Sequence, residues 1–375
     1  MPPQHSGPPT LIPRFFRPAA KVVAWPAQRR AIFFGRRGED LQAGLHSSSS
    51  VFVVNEQIHE RQTAHLGSDL RNNGGYARLR FHGGFRVVME RSTSGTGPSV
   101  VTPGARLEKL AGDFDFTEGP TCDAEGNVFF TDQPNNRILK WSVDGRLSTF
   151  LQPAGRANGM YFDLEGHLIA CADEKNQLWS IAPDGTVSVL VGEYRGKRLN
   201  GPNDVWVRPD GAIYFTDPFY KRSWWTHDTM PQDGQHVYFL SANRRELVRV
   251  IDDLVKPNGI IGTPDGKMLY VTDITTGKTY RYDSAPDGSL AGKTLAVDQG
   301  SDGMTLDDEG NLYLTGEGVG VFDQAGRQIE RIRVPDERWT ANVSFGGTGR
   351  QVLFITASTG LYAVATRVIG ANASK

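Results

Sequence analysis

The sequence predicts an all-β protein, a six-bladed β-propeller preceded by a poorly structured N-terminal extension. Three observations carry that expectation. A glycine turn followed by an alternating apolar strand recurs six times between residues 126 and 356. Its period matches the length of a four-stranded blade, roughly 40–50 residues. Finally, 43 glycines in 375 residues supply the turns that many short strands need. No βαβ alternation or strong helical pattern competes.

In chain order, the extension comes first. Residues 1–88 carry twelve Lys/Arg, eleven of them Arg, against five Asp/Glu, and include the run Ser47–Ser50. No lasting periodicity appears there, so residues 1–102 are expected to be disordered or loosely structured. An alternative is that translation begins further on, for instance at Met89. The propeller is expected over 103–368, with 369–375 as a tail.

The six repeats are GNVFFTD (126–132), GHLIACAD (166–173), GAIYFTD (211–217), GKMLYVTD (266–273), GNLYLTG (310–316) and GRQVLFIT (349–356). Most follow an acidic turn such as DAEG or TPDG, and each leads into a further strand such as ILKWSV or TYRYDS. Successive repeat glycines lie 40, 45, 55, 44 and 39 residues apart. Six blades close into a ring because a single blade cannot bury both faces of its sheet. The sixth copy ends at LYAVAT without an outer strand, and Leu107–Leu110 can supply it, joining the two ends of the chain.

The net charge of −1 hides an asymmetry: +7 on residues 1–88 and therefore −8 on the remainder. An acidic propeller argues against nucleic acid, whose phosphates need a basic face, and suits a cation. Cys122 and Cys171 sit in apolar runs and read as small buried residues rather than a disulfide framework. No apolar run approaches the ~20 residues of a membrane span. Prolines and arginines interrupt the first 25 residues where a signal peptide needs an apolar stretch. A soluble protein is expected, its compartment and oligomeric state left open.

The chemistry emerges from one register. Counting eight residues back from each of the first five repeat glycines gives Glu118, Asn158, Asn203, Asn258 and Asp302, and seven back from Gly349 gives Asn342. These positions open the strands that line the channel, and all six carry a side-chain oxygen acceptor. Turn chemistry explains Asn-Gly and Asp-Gly pairs. It does not explain Glu118, or Asn203 and Asn342, which have no glycine after them. A ring of carboxylate and amide oxygens is what a hard cation requires.

At these positions FTEGP (116–120), GPNDV (201–205), KPNGI (256–260) and GSDGM (300–304) resemble the gluconolactonase/regucalcin (senescence marker protein) family, over roughly residues 106–366. The resemblance implies a six-bladed propeller holding one divalent cation, most often Ca²⁺, with Zn²⁺, Mg²⁺ or Mn²⁺ possible. Its implied ligands are Glu118, Asn258 and Asp302, with Asn203 beside metal and substrate. Asp204 is the implied candidate base. In animal members a basic residue two positions before that Asn contacts sugar; here the position is Gly201, so substrate recognition must differ.

Asp204 also stands out on its own, since four of the six ring positions are followed by Gly and this one by a carboxylate, able to orient and deprotonate water. The alternative is an acid satisfied by backbone donors. Asn158, Asn342, Tyr220 and His227 complete the set of candidate substrate-binding residues. The last two lie in the long segment after Asp217, which reads equally as a lid or as aromatic packing over the rim. The Thr-Asp strand ends (Thr131-Asp132, Thr216-Asp217, Thr272-Asp273) recur from blade to blade and are assigned a structural bond. The expected reaction is metal-assisted opening of a sugar lactone such as glucono-1,5-lactone. Non-sugar lactones, or a non-catalytic metabolite-binding propeller, are the rival readings.

Overall fold

The computed structural model describes residues 99–335 and 337–371, together with six short strands between Ile32 and Glu90. The expected loose extension and the last residues of the tail otherwise lie outside the described residues. The chain divides into two units, residues 1–93 and 94–375.

The second unit is a six-bladed propeller built from six four-stranded antiparallel sheets. Blade one runs outward through Thr117–Cys122, Val128–Asp132, Arg137–Trp141 and Leu147–Leu151. Burial falls along the same path: its two inner strands are buried throughout, while the outermost begins exposed. The second strand of each blade reads as a nearly continuous apolar run because neighbouring blades cover both of its faces. Large aromatics fill the space between blades. Trp206, Tyr214 and Phe239 of blade three pack with Ile260, Tyr270 and Tyr282 of blade four.

The sixth blade closes as the sequence implies. Thr340–Gly346, Val352–Ala357 and Gly360–Ala365 are completed by Glu108–Ala111, with Leu361 opposite Ala111 and Tyr362 opposite Lys109. Residues just beyond the expected limits join in, Val101 pairing with Thr366 and Gly370 with Asp307. No helix among the described residues is long and apolar enough to cross a membrane.

The six inner strands touch their neighbours in a closed circle. Four carry a register shift at the ring position, between Glu118 and Thr121, Ala157 and Met160, Pro257 and Ile260, and Thr340 and Asn342. A bulge re-aims a side chain out of the ladder. Here the bulges turn the ring residues toward the adjoining blades.

Candidate metal centre and active site

The six residues that share a register in sequence share a place in the structure. Asn258, from the inner strand Pro257–Gly262, donates through Nδ2 to Asp302 Oδ1 of the next blade at 2.9 Å. Asn342 donates through Nδ2 to Glu118 Oε2 at 3.1 Å, across the closure of the ring. Gly159, beside Asn158, donates its N–H to the Asn203 carbonyl at 2.7 Å, linking blades two and three. Asp204 reaches blade four, its Oδ2 accepting from Ile260 N at 3.2 Å and its Oδ1 from Val205 N at 3.0 Å. Glu118, Asn158, Asn203, Asp204, Asn258 and Asn342 are all buried, and Asp302 is half-buried.

The glycines after the ring positions have a cause other than turn formation. A Cβ on Gly159 would stand 2.2 Å from Asp204 Oδ1, and one on Gly259 would stand 2.3 Å from the Asp302 carbonyl. On Gly303 it would fall 2.0 Å from Asn342 Oδ1. Glycine is required because neighbouring blades approach this closely. Gly303→Ala should therefore displace Asn342 from Glu118 and, as an overpacked site, cost about 1–3 kcal/mol. A thermal melt that matches the wild type would refute this account of the ring.

Burial governs the electrostatics. Glu118 is held well above the usual carboxylate range by burial and then by the charge of Asp302. Burial pushes Asp204 up to about 8, against the backbone N–H groups of Val205 and Ile260. It pushes Asp302 up to about 6, against donors on Trp339 and Asn258. Among the described residues, no cationic side chain forms an ion pair with any of the three. Three acids, two buried and one half-buried, without a direct cationic partner and ringed by amide oxygens, form a hard-oxygen donor set of the kind that suits Ca²⁺ or a similar divalent ion. No three His, Cys, Asp or Glu side chains among the described residues gather closely enough to hold an ion unaided. Such a set would depend on the Asn258 amide and on oxygens of water or substrate.

Tyr220 belongs to this network. Its Oη accepts from Asn258 Nδ2 at 2.9 Å, and burial keeps the hydroxyl protonated and able to donate. His227 is held further out. It stacks on Trp225 at 4.9 Å and faces Arg198 through Nδ1 at 3.3 Å, while its Nε2 is buried without a hydrogen-bond partner among the described residues. Burial and the Arg198 charge lower its pKa. Gly201 lies under Trp225, where a Cβ would come within 2.8 Å of the indole. No side chain fits there while Trp225 stays in place.

Sequence reasoning missed Trp339, which donates through Nε1 to Asp302 Oδ2 at 2.6 Å. No repeat signal marks it. The residues three before the other ring positions are Asp115, Gly155, Asn200, Val255 and Gln299. A cavity of about 1070 Å³ opens at the opposite ends of the inner strands, lined by Thr121, Tyr161, Trp206 and Thr305 among others. It lies away from this chemistry. A small cavity that includes Asp204, Ile260 and Asn342 penetrates the channel from the ring.

With this geometry in view, the comparisons decide the family. Residues 116–359 match the SMP-30/gluconolactonase/LRE-like region. The chain belongs to that family. It is 30% identical to a gluconolactonase of Zymomonas mobilis over 300 residues, 72% of this chain and 83% of the relative. Among solved structures it is similar to a gluconolactonase of Xanthomonas campestris, 31% identical with a TM-score of 0.66, covering 71% of this chain and 91% of that one. A calcium-binding regucalcin of Agrobacterium tumefaciens, 20% identical with a TM-score of 0.59 over 71% of this chain and 95% of that one, shares the fold.

Proposed function

We propose that this protein is a divalent-cation-dependent lactonase that opens a sugar lactone, such as glucono-1,5-lactone, to the aldonic acid. The observation that supports the reading is that Glu118, Asp302 and Asp204 feel one another's charge while each is bonded to a neighbouring blade, through Asn342, Asn258 and Ile260 respectively. A structural scaffold has no use for three like charges within reach of one another and shielded from water, since each costs desolvation energy. The likeness to gluconolactonases of two bacteria supports the choice of substrate.

Glu118, Asn258 and Asp302 would hold the cation, with Asn203 beside it. When bound, a divalent cation there supplies Lewis-acid polarisation of the lactone carbonyl. The chain's own groups do the rest. Asp204, whose ionised form the charge of a bound cation would favour against the burial that raises its pKa to about 8, takes a proton from the attacking water at its carboxylate. The same proton then serves the ring oxygen as the acyl C–O bond breaks, so the net change is addition of one water. Ile260 N–H and Val205 N–H hold the carboxylate in place throughout. Asn158, Asn342 and the Tyr220 hydroxyl would orient the sugar hydroxyls, and the Trp225 indole over Gly201 would replace a basic side chain as the wall of the site.

The test is acid release from a panel of glucono-1,5-lactone, other sugar lactones and simple non-sugar lactones, with Ca²⁺, Mg²⁺, Mn²⁺ or Zn²⁺ supplied. Sugar lactones are expected to turn over fastest. Failure to accelerate any lactone above its spontaneous opening would overturn the reading and favour a metabolite-binding propeller.

A further inference from the structure

The acid that ends the second strand of a blade does one job in three blades. Asp132 accepts from Asp115 N at 3.1 Å, Asp217 from Asn200 N at 2.9 Å and Gly201 N at 2.8 Å, and Asp273 from Val255 N at 2.9 Å and Lys256 N at 3.1 Å. Each ties its strand to the segment that enters the same blade's inner strand. This is the structural bond expected of the repeated Thr-Asp ends.

In blade two the strand ends instead at Ala172, opposite Gln177, and the acid, Asp173, comes one residue later, in the turn Asp173–Lys175, and does something else. The segment entering that blade is already served by Asn136, whose Oδ1 accepts from Ala154 N at 2.9 Å and Arg156 N at 2.8 Å. The Asp173 side chain, only 2% exposed, turns instead to the long loop of blade three. Its Oδ2 accepts from Trp224 Nε1 at 3.0 Å and lies 3.3 Å from Arg222 Nε. Its backbone carbonyl accepts from Trp225 Nε1 at 2.9 Å. Arg156 adds a cation–π contact, 4.7 Å from the Trp224 ring.

These contacts lead to the candidate site by two routes. Arg222 lies 5.2 Å from the centre of the Tyr220 ring, and the Tyr220 hydroxyl is bonded to Asn258. Trp225 covers Gly201, two residues before Asn203. An acid in the turn after the second strand of blade two is thus bonded to a loop of blade three.

We propose that Asp173 is a positioning residue, a latch on blade two that fixes the 218–235 loop and so sets Tyr220 and Trp225 around the substrate. The kinetic half of this inference rests on the lactonase reading; the latch itself does not. It is tested by limited trypsin digestion and by kinetics, on the full chain.

Asp173→Ala should speed cleavage after the adjacent Lys221 and Arg222 by roughly tenfold, the scale of one lost charge-assisted hydrogen bond. KM for the best lactone should rise by a similar factor, with kcat changed less than about threefold. Asp173→Asn keeps an acceptor for Trp224 but loses the charge opposite Arg222. It should fall between the two, and it keeps the test alive if the alanine variant does not fold. Cleavage no faster in the folded variants overturns the latch. Faster cleavage with an unchanged KM overturns the link from latch to substrate. A wild type inactive on every lactone overturns the functional reading while leaving the digestion result to stand.

Discussion

Asp204→Asn lowers kcat for lactone opening by about 10²–10⁴-fold, the usual worth of a positioned general base, and changes KM far less. Asparagine has almost the same shape and can still accept from Val205 N. It cannot take a proton from water. It also sets an NH₂ group against a backbone N–H, at Ile260 if its oxygen stays on Val205, where the carboxylate now accepts at 3.2 Å. A buried donor facing a donor costs about 1–3 kcal/mol, so the melting temperature should fall as well. The two roles separate cleanly. If Asp204 only braces blades three and four, the melting temperature drops while kcat stays within about threefold of wild type. That pattern would remove Asp204 from the chemistry.

Withdrawal of divalent cation gives the second large effect. Dialysis against a chelator should reduce lactone opening by more than about 100-fold, with recovery on titration of Ca²⁺ or a similar ion. Undiminished turnover in chelator would sink the metal mechanism. Two substitutions sharpen the test because they separate activity from stability. Glu118→Gln and Asp302→Asn each remove a ligand charge and should abolish most of the activity. Each also relieves repulsion between two buried acids, since the Asp302 charge is the second-largest cause of the raised Glu118 pKa. In chelator, Glu118→Gln should therefore melt at or above the wild-type temperature, whereas Asp302→Asn sets its new NH₂ against Trp339 Nε1 or Asn258 Nδ2 and should melt below it. A clear fall for Glu118→Gln would mean that this acid is stabilised by partners other than a cation.

Much of this was legible in the sequence because a propeller repeats its register. A count of eight residues back from five repeat glycines, and of seven from the sixth, lands at or near the start of each inner strand, and the ring of blades then sets six such residues around its axis. Glu118, Asn258 and Asp302 were found that way, and Asp204 by the missing glycine beside Asn203. What was not legible depends on side chains that reach between blades. Trp339 meets Asp302 from 37 residues away, and Trp224 meets Asp173 from 51. Nothing in local pattern encodes either pairing. The Asn-Gly and Asp-Gly pairs also misled in part: they read as turn formers, whereas Gly159, Gly259 and Gly303 are small because a neighbouring blade leaves no room for a side chain.

The closing strand Glu108–Ala111 has a further consequence. It puts the head-to-tail seam inside the sixth blade, between Gly360–Ala365 and Glu108–Ala111, and the Asn342–Glu118 bond ties that blade's inner strand to blade one. Loosening where head and tail of the chain are clasped would therefore reach Glu118 through its bond from Asn342. The clasp itself is made wholly of residues after Met89.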